Sequence, residues 1–243
     1  MTRTRSPRCH TDRPTMHPAI SSVILILLFT CKSVAQPVVR LPAALPFMGA
    51  YYVNVHELAQ PYFLTDTVGA DVVWNLADIE LKDLFPVTDS VIPWDQAMDD
   101  SIPEGTSVVL HRAYSYRRHY LNFVDGALQE LGTYAPYYNE RERYSRPLLL
   151  WRDGSGYGSY SEHYSPTVED VMMRREVVGT GTLVAPFGTF PDLILVKVWP
   201  DRELPAERYE LVDPTNVLRT LAIFWSNGDA QLHEPAGYAG PGQ

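Results

Sequence analysis

The chain has 243 residues and a formal net charge of −9, from 20 Lys+Arg and 29 Asp+Glu. Five of the basic residues and one acidic residue precede Gln36, so the part from Gln36 onward carries 15 and 28, a net −13. That balance leaves no basic stripe and argues against nucleic acid or anionic lipid as a partner. Both cysteines, Cys9 and Cys31, also precede Gln36, which removes thiolate zinc sites and disulfides from everything after it.

The first 35 residues have the three-part pattern of a secretory signal. Arg3, Arg5, Arg8 and Arg13 come before an apolar run from Ala19 to Phe29, and Ser33-Val34-Ala35-Gln36 offers small residues for cleavage after Ala35. The run falls short of the roughly 20 apolar residues a spanning helix needs. No transmembrane span is therefore expected, and Met16 is an alternative start. The remaining 208 residues suffice for one β domain with a core of its own.

From Gln36 to Phe47 three prolines suggest an extended lead-in, and Ala50 to Val55 a first strand. In Asp71 to Leu76, Val72, Trp74 and Leu76 alternate on one face, the mark of a half-buried strand. Leu84 to Glu104 is rich in Pro, Asp and Ser and suggests connecting structure, with a short helix starting after Pro93. Thr106 to Tyr116 returns to strand composition. Asp125-Gly126 between two apolar runs predicts a tight hairpin. Arg146 to Trp151 predicts another strand, followed by a Gly/Ser loop.

Val177 to Trp199 is two β-branched runs around the break Pro186 to Pro191. Leu193, Leu195 and the Lys197 stem share one face and Ile194, Val196 and Val198 the other. Both faces are apolar, so a central strand covered on each side is expected. Gly179-Thr180-Gly181 marks a place where a strand needs room or a bulge. Val217 to Trp225 is a last strong strand that Asn227-Gly228 turns back toward His233. A single β domain over 36–234 with a Gly/Pro tail over 235–243 follows. The fold class is all-β: an antiparallel β-sandwich, jelly-roll-like in one form of it, with at most short helices.

Three stretches carry a resemblance. Val73 to Asp78, Pro147 to Tyr160, and Gly179 to Leu183 with Pro186 to Phe190 look like the β-rich passenger region of exported Bacteroidota proteins. The Ser-Val-Ala-Gln region is similar to signals common there. The resemblance implies export; such passengers are usually followed by a C-terminal sorting domain, and none is recognisable before Gln243. It brings no activity and no catalytic residues.

No nucleophile elbow, phosphate-binding glycine loop or zinc-binding histidine pair on a helix is present. The most suggestive stretch is Trp151 to Tyr164, where Trp151, Tyr157, Tyr160 and His163 accompany a flexible loop. Such rings can stack on a sugar or peptide while keeping a polar edge wet. Asp153 and Glu162 are the acid and base candidates of a glycosidase reading, which requires their carboxyls about 5 to 9.5 Å apart. His56-Glu57, Glu162-His163 and His233-Glu234 set ligand types side by side, but neighbours on a strand point to opposite faces. No metal or cofactor is expected. Arg117-Arg118 and Arg174-Arg175 suggest solvated or ion-paired positions on an acidic surface.

The expectation is an exported, non-enzymatic binding or structural module of the envelope or extracellular space. A polysaccharide or envelope component is its candidate partner. The alternative is a secreted carbohydrate hydrolase using Asp153 and Glu162.

Overall fold

The computed structural model describes residues 35–41, 48–64, 68–97, 101–113, 116–164, 171–200 and 207–239. The proposed signal and the tail beyond 239 lie outside them. Thirteen strands run through the described residues. They are β1 (Gly49–Leu58), β2 (Gly69–Asn75), β3 (Leu81–Pro93), β4 (Val108–Arg112), β5 (Arg117–Val124), β6 (Ala127–Ala135) and β7 (Glu140–Arg152). The others are β8 (Tyr160–Tyr164), β9 (Val171–Ala185), β10 (Gly188–Pro200), β11 (Arg208–Asp213), β12 (Asn216–Trp225) and β13 (Ala230–Ala239). The protein is all-β and mostly antiparallel, as its composition predicts.

All the strands belong to one sheet, in the order β2-β9-β10-β11-β12-β13-β1-β3-β4-β5-β6-β7, with β8 on β9. Two meanders, β3 to β7 and β9 to β13, are joined by β1, which pairs with β13 on one side and β3 on the other. This is hairpin topology, not the Greek-key pairing of a jelly roll. The sandwich arises because the single sheet curls over on itself. Val91, Val108, Leu110, Leu121, Leu128 and Trp151 from the first meander pack with Val177, Ile194, Val196, Val198 and Val212 from the second.

The second meander is apolar on its other face too. Trp74 and Leu76 with the partly buried Val72 cover Leu183, Leu193, Leu195, Leu211 and Phe224. Both faces of β10 are thus buried, as its sequence predicts. The close fit depends on glycine. β2 runs parallel to β9 with Val72 opposite Gly181, and a Cβ there would stand 1.9 Å from the Val72 carbonyl oxygen. Gly181→Ala is expected to push β2 off the sheet and cost about 2 kcal/mol, the range of overpacked cores. Thermal unfolding checks it; an unchanged midpoint would mean that β2 yields freely.

Local signals account for the turns. Asp125 (φ 49°) and Gly126 (φ 67°) form the two-residue hairpin between β5 and β6. Pro186-Phe187 turns β9 into β10, whereas Pro191-Asp192 makes a bulge inside β10 and does not end it. Two expectations need correction. Leu84 to Pro93 is strand, held by β1 and β4 on its two edges; only Trp94–Gln96, one turn of 3-10 helix, follows Pro93. The first residues of the expected tail, Pro235 to Ala239, continue β13.

The described part of the lead-in, residues 36–41, straps one end of the sheet. Val39, fully buried, donates its N–H to Ser155 O (2.7 Å) and accepts from Gly154 N (2.9 Å), while Arg40 N reaches Pro214 O (3.0 Å).

Candidate functional site

Strand alternation sends every second side chain of the curled sheet inward. These inward faces do not close up completely. They line a partly open cavity of about 1110 Å³, walled by β1, β3 to β7, β9 and β11 to β13. Val53, Val87, Leu121, Leu150, Val212 and Ile223 give it apolar walls. Among them stand charged groups that a sealed core would not hold.

Arg175 on β9 and Glu210 on β11 are almost fully enclosed, their side chains 11% and 13% exposed, and both border the cavity. Glu210 binds Arg208 Nε at 2.7 Å and lies 3.6 Å from Arg175 Nη2. Burial works against its charge, yet Arg208 and Arg175 together hold its pKa below the usual carboxylate value. Burial, with Arg208 nearby, lowers the Arg175 pKa, although Glu210 opposes the shift. Arg175 also donates to Leu150 O at 3.0 Å and lies over the Trp151 ring. That bond spans β9 to β7, where β7 lies beside β8 with no backbone register between them among the described residues. A side chain thus ties the sheet where the ladder does not.

Also lining the cavity, Arg112 binds Asp89 at 3.0 Å and His119 meets Glu130 at 2.6 Å. Tyr144 borders the same space, and burial followed by Glu130 pushes its pKa up.

Beside the cavity, β12 and β13 part. Both strands have ten residues, but only three pairs join them, Ala222↔Leu232, Ile223↔Gln231 and Phe224↔Ala230. Beyond these, β12 follows β11 and β13 follows β1. A side chain meets a carbonyl that the parted ladder leaves: Arg112 Nη2 donates to Leu218 O at 2.8 Å. Tyr52, Ala236 and Gly237 border both the cavity and solvent beside this parting, as Arg117 does at the β4–β5 turn. His233 stands at the fork. Its Nε2 and the Asn216 amide oxygen are buried, without a hydrogen-bond partner, and both residues line the cavity.

The residues singled out from sequence do not gather at one place. Trp151 is 6% exposed and belongs to the core, while Tyr157 and Tyr160 are each 52% exposed. Trp151 and Tyr160 both border a smaller cavity of about 210 Å³ at the β7–β8 seam. His163 lies on β8, and its side chain is outside the described residues. Asp153 accepts the Leu41 N–H at 2.9 Å, and a Cβ on Gly156 would come 2.9 Å from Val38. The Gly/Ser loop is therefore shaped to hold the lead-in strap. Glu162 accepts from Tyr160 Oη (2.5 Å) and lies 3.5 Å from Arg174 Nε. Neither acid borders either cavity.

Sequence reasoning passed over the inward polar residues. Arg175 is not a surface residue as expected; only Arg174 beside it is, 54% exposed. His233 and Glu234 do point to opposite faces, Glu234 meeting His56 Nε2 at 2.9 Å and Asn54 Nδ2 at 3.1 Å. The signal that finds the interior set is a polar residue two places from a core residue on a strand. Arg112 follows Leu110, Arg175 precedes Val177 and Glu210 precedes Val212. Comparison with known proteins gives no further guide: no family model, no curated protein and no solved structure matches the chain.

Proposed function

We propose that this protein is an exported, non-enzymatic binding module whose ligand seats inside the curled sheet. The observation that carries the reading is the cavity of about 1110 Å³ with apolar walls and a few fixed polar groups. That is the composition of small-molecule sites, at the upper end of their usual size. The polar groups are largely occupied by one another, which suits holding a ligand better than moving protons on one. Export rests on the signal pattern of the first 35 residues, and an envelope component or a polysaccharide fragment remains the candidate partner. The hydrolase alternative draws no support from Asp153 and Glu162, which are engaged with the strap and with Arg174.

The test fills the cavity. A fluorescent amphipathic probe, anilinonaphthalene sulfonate, is expected to bind the folded protein at one saturable site with a micromolar Kd. Energy transfer from Trp151 and Trp225, which both border the cavity, reports the location. Val53→Trp places an indole in that space and is expected to weaken binding at least tenfold without unfolding the protein. Retention on polysaccharide beads that survives Val53→Trp but is lost in Tyr157→Ala would move the site to the outer loop.

A further inference from the structure

We infer that the interior site takes an amphipathic monocarboxylate, with its apolar body inside the curled sheet and its anionic end at the rim against Arg117. The inference rests on the reading of the cavity as a ligand site and adds the chemistry of what fills it.

From Gln36 onward the chain is acidic, with 15 basic and 28 acidic residues, but its interior is not. Among the described residues five arginines line the cavity, Arg112, Arg117, Arg175, Arg208 and Arg219, against the three carboxylates Asp89, Glu130 and Glu210. Glu210 feels that imbalance: Arg208, Arg175 and Arg112 hold its pKa below the usual carboxylate value although burial works the other way. A carboxylate brought to the same space meets a field of the same sign.

The pairing of these groups shows which cation is left for a ligand. Arg112 holds Asp89 at 3.0 Å and Leu218 O at 2.8 Å, Arg175 and Arg208 share Glu210, and Arg219 lies 3.6 Å from Asp213. Among the described residues the Arg117 guanidinium has no ion pair and no hydrogen bond. One unmatched cation suits one negative charge.

Arg117 opens β5 opposite Arg112, lines the cavity and is exposed, so it stands at the rim. A carboxylate taken fully inside would lose its hydration at a large cost. At Arg117 it keeps water on one side and meets a planar fork of donors that matches its two oxygens. The walls at Val53, Val87, Leu121, Leu150 and Ile223 take the hydrocarbon body. An ammonium in the same position would face Arg117 and find the three lining carboxylates already engaged, by Arg112, His119 and Arg208.

N-phenyl-1-naphthylamine, a neutral apolar fluorophore, serves as the reporter at pH 7, and decanoate, decanol and decylammonium compete for its place. Decanoate is expected to bind about tenfold more tightly than decanol, one charge-assisted hydrogen bond's worth, with decylammonium weakest. The acidic chain as a whole attracts the cation, so this order reports the interior. Arg117→Gln is expected to bring decanoate down to decanol's affinity, and Arg117→Lys to recover part of the difference. Unchanged binding of the reporter shows that both variants are folded with the cavity open. Equal binding of decanoate and decanol, or decylammonium binding tightest, overturns the inference while the cavity remains a ligand site. A preference for decanoate that Arg117→Gln leaves intact overturns it as well. If neither the reporter nor any of the three competitors binds, the cavity reading itself falls.

Discussion

Replacing Glu210 by Leu is expected to destabilise the protein by about 3–5 kcal/mol, the cost of breaking a buried ion pair from one side. Glu210 is the shared anion of two guanidiniums, with Arg208 Nε at 2.7 Å and Arg175 Nη2 at 3.6 Å. Its removal leaves Arg175 enclosed beside another cation, and burial already lowers the Arg175 pKa. Arg175 cannot simply leave, because its bond to Leu150 O ties β9 to β7. Urea unfolding measures the loss. Adding Arg175→Met to Glu210→Leu is expected to return part of it, since two apolar groups of similar volume carry no unmet charge. A loss below about 1 kcal/mol in the single variant would mean that cavity water solvates Arg175 well.

Acid is expected to weaken the fold through His233. Its pKa falls from the ordinary 6.5 to about 4 in the folded protein, chiefly through burial. Between those values the unfolded chain takes up a proton that the native ring refuses, so stability rises with pH across that window. The contribution is complete above pH 6.5 and is lost as pH falls toward 4. At pH 4.5 the loss is about 2–3 kcal/mol. The groups that act on the ring, Arg112 from β4, Asp89 from β3 and Glu210 from β11, set the size of the effect. Unfolding free energies at pH 7 and 4.5 are to be compared for the native protein and His233→Phe. The variant is expected to lose about 2–3 kcal/mol less on acidification. Equal losses would show that carboxylates, not this ring, govern acid sensitivity.

What was legible in the chain follows from how far each signal depends on distant partners. Asp125-Gly126 and Pro186-Phe187 are turns by local chemistry, and the strands beside them followed. The two-sided burial of β10 was readable because both of its faces are apolar. β3 was hidden: Leu84 to Ser90 contains Pro86 and Asp89, and only pairing with β1 and β4 makes it a strand. β11 was not singled out either, since Arg208-Tyr209-Glu210 resembles a surface segment until the cavity is known. The site failed for the same reason. Function is expected on loops, whereas the polar groups that converge come from strands spread across the sheet, β3 to β7, β9 and β11 to β13. Sequence gives their alternation but not which strands will face each other across the curl.

The pairing of β1 with β13 sets an order of events. Val55 lies opposite His233, a partner nearly 180 residues later in the chain. Contacts of that separation close late, because the intervening chain must be ordered before they form. The central joint of the sheet therefore cannot exist until β13 has left the ribosome. Until then the strands β9 to β12 and the strands β1 and β3 to β7 are two separate ladders, and β13 is the piece that makes them one sheet.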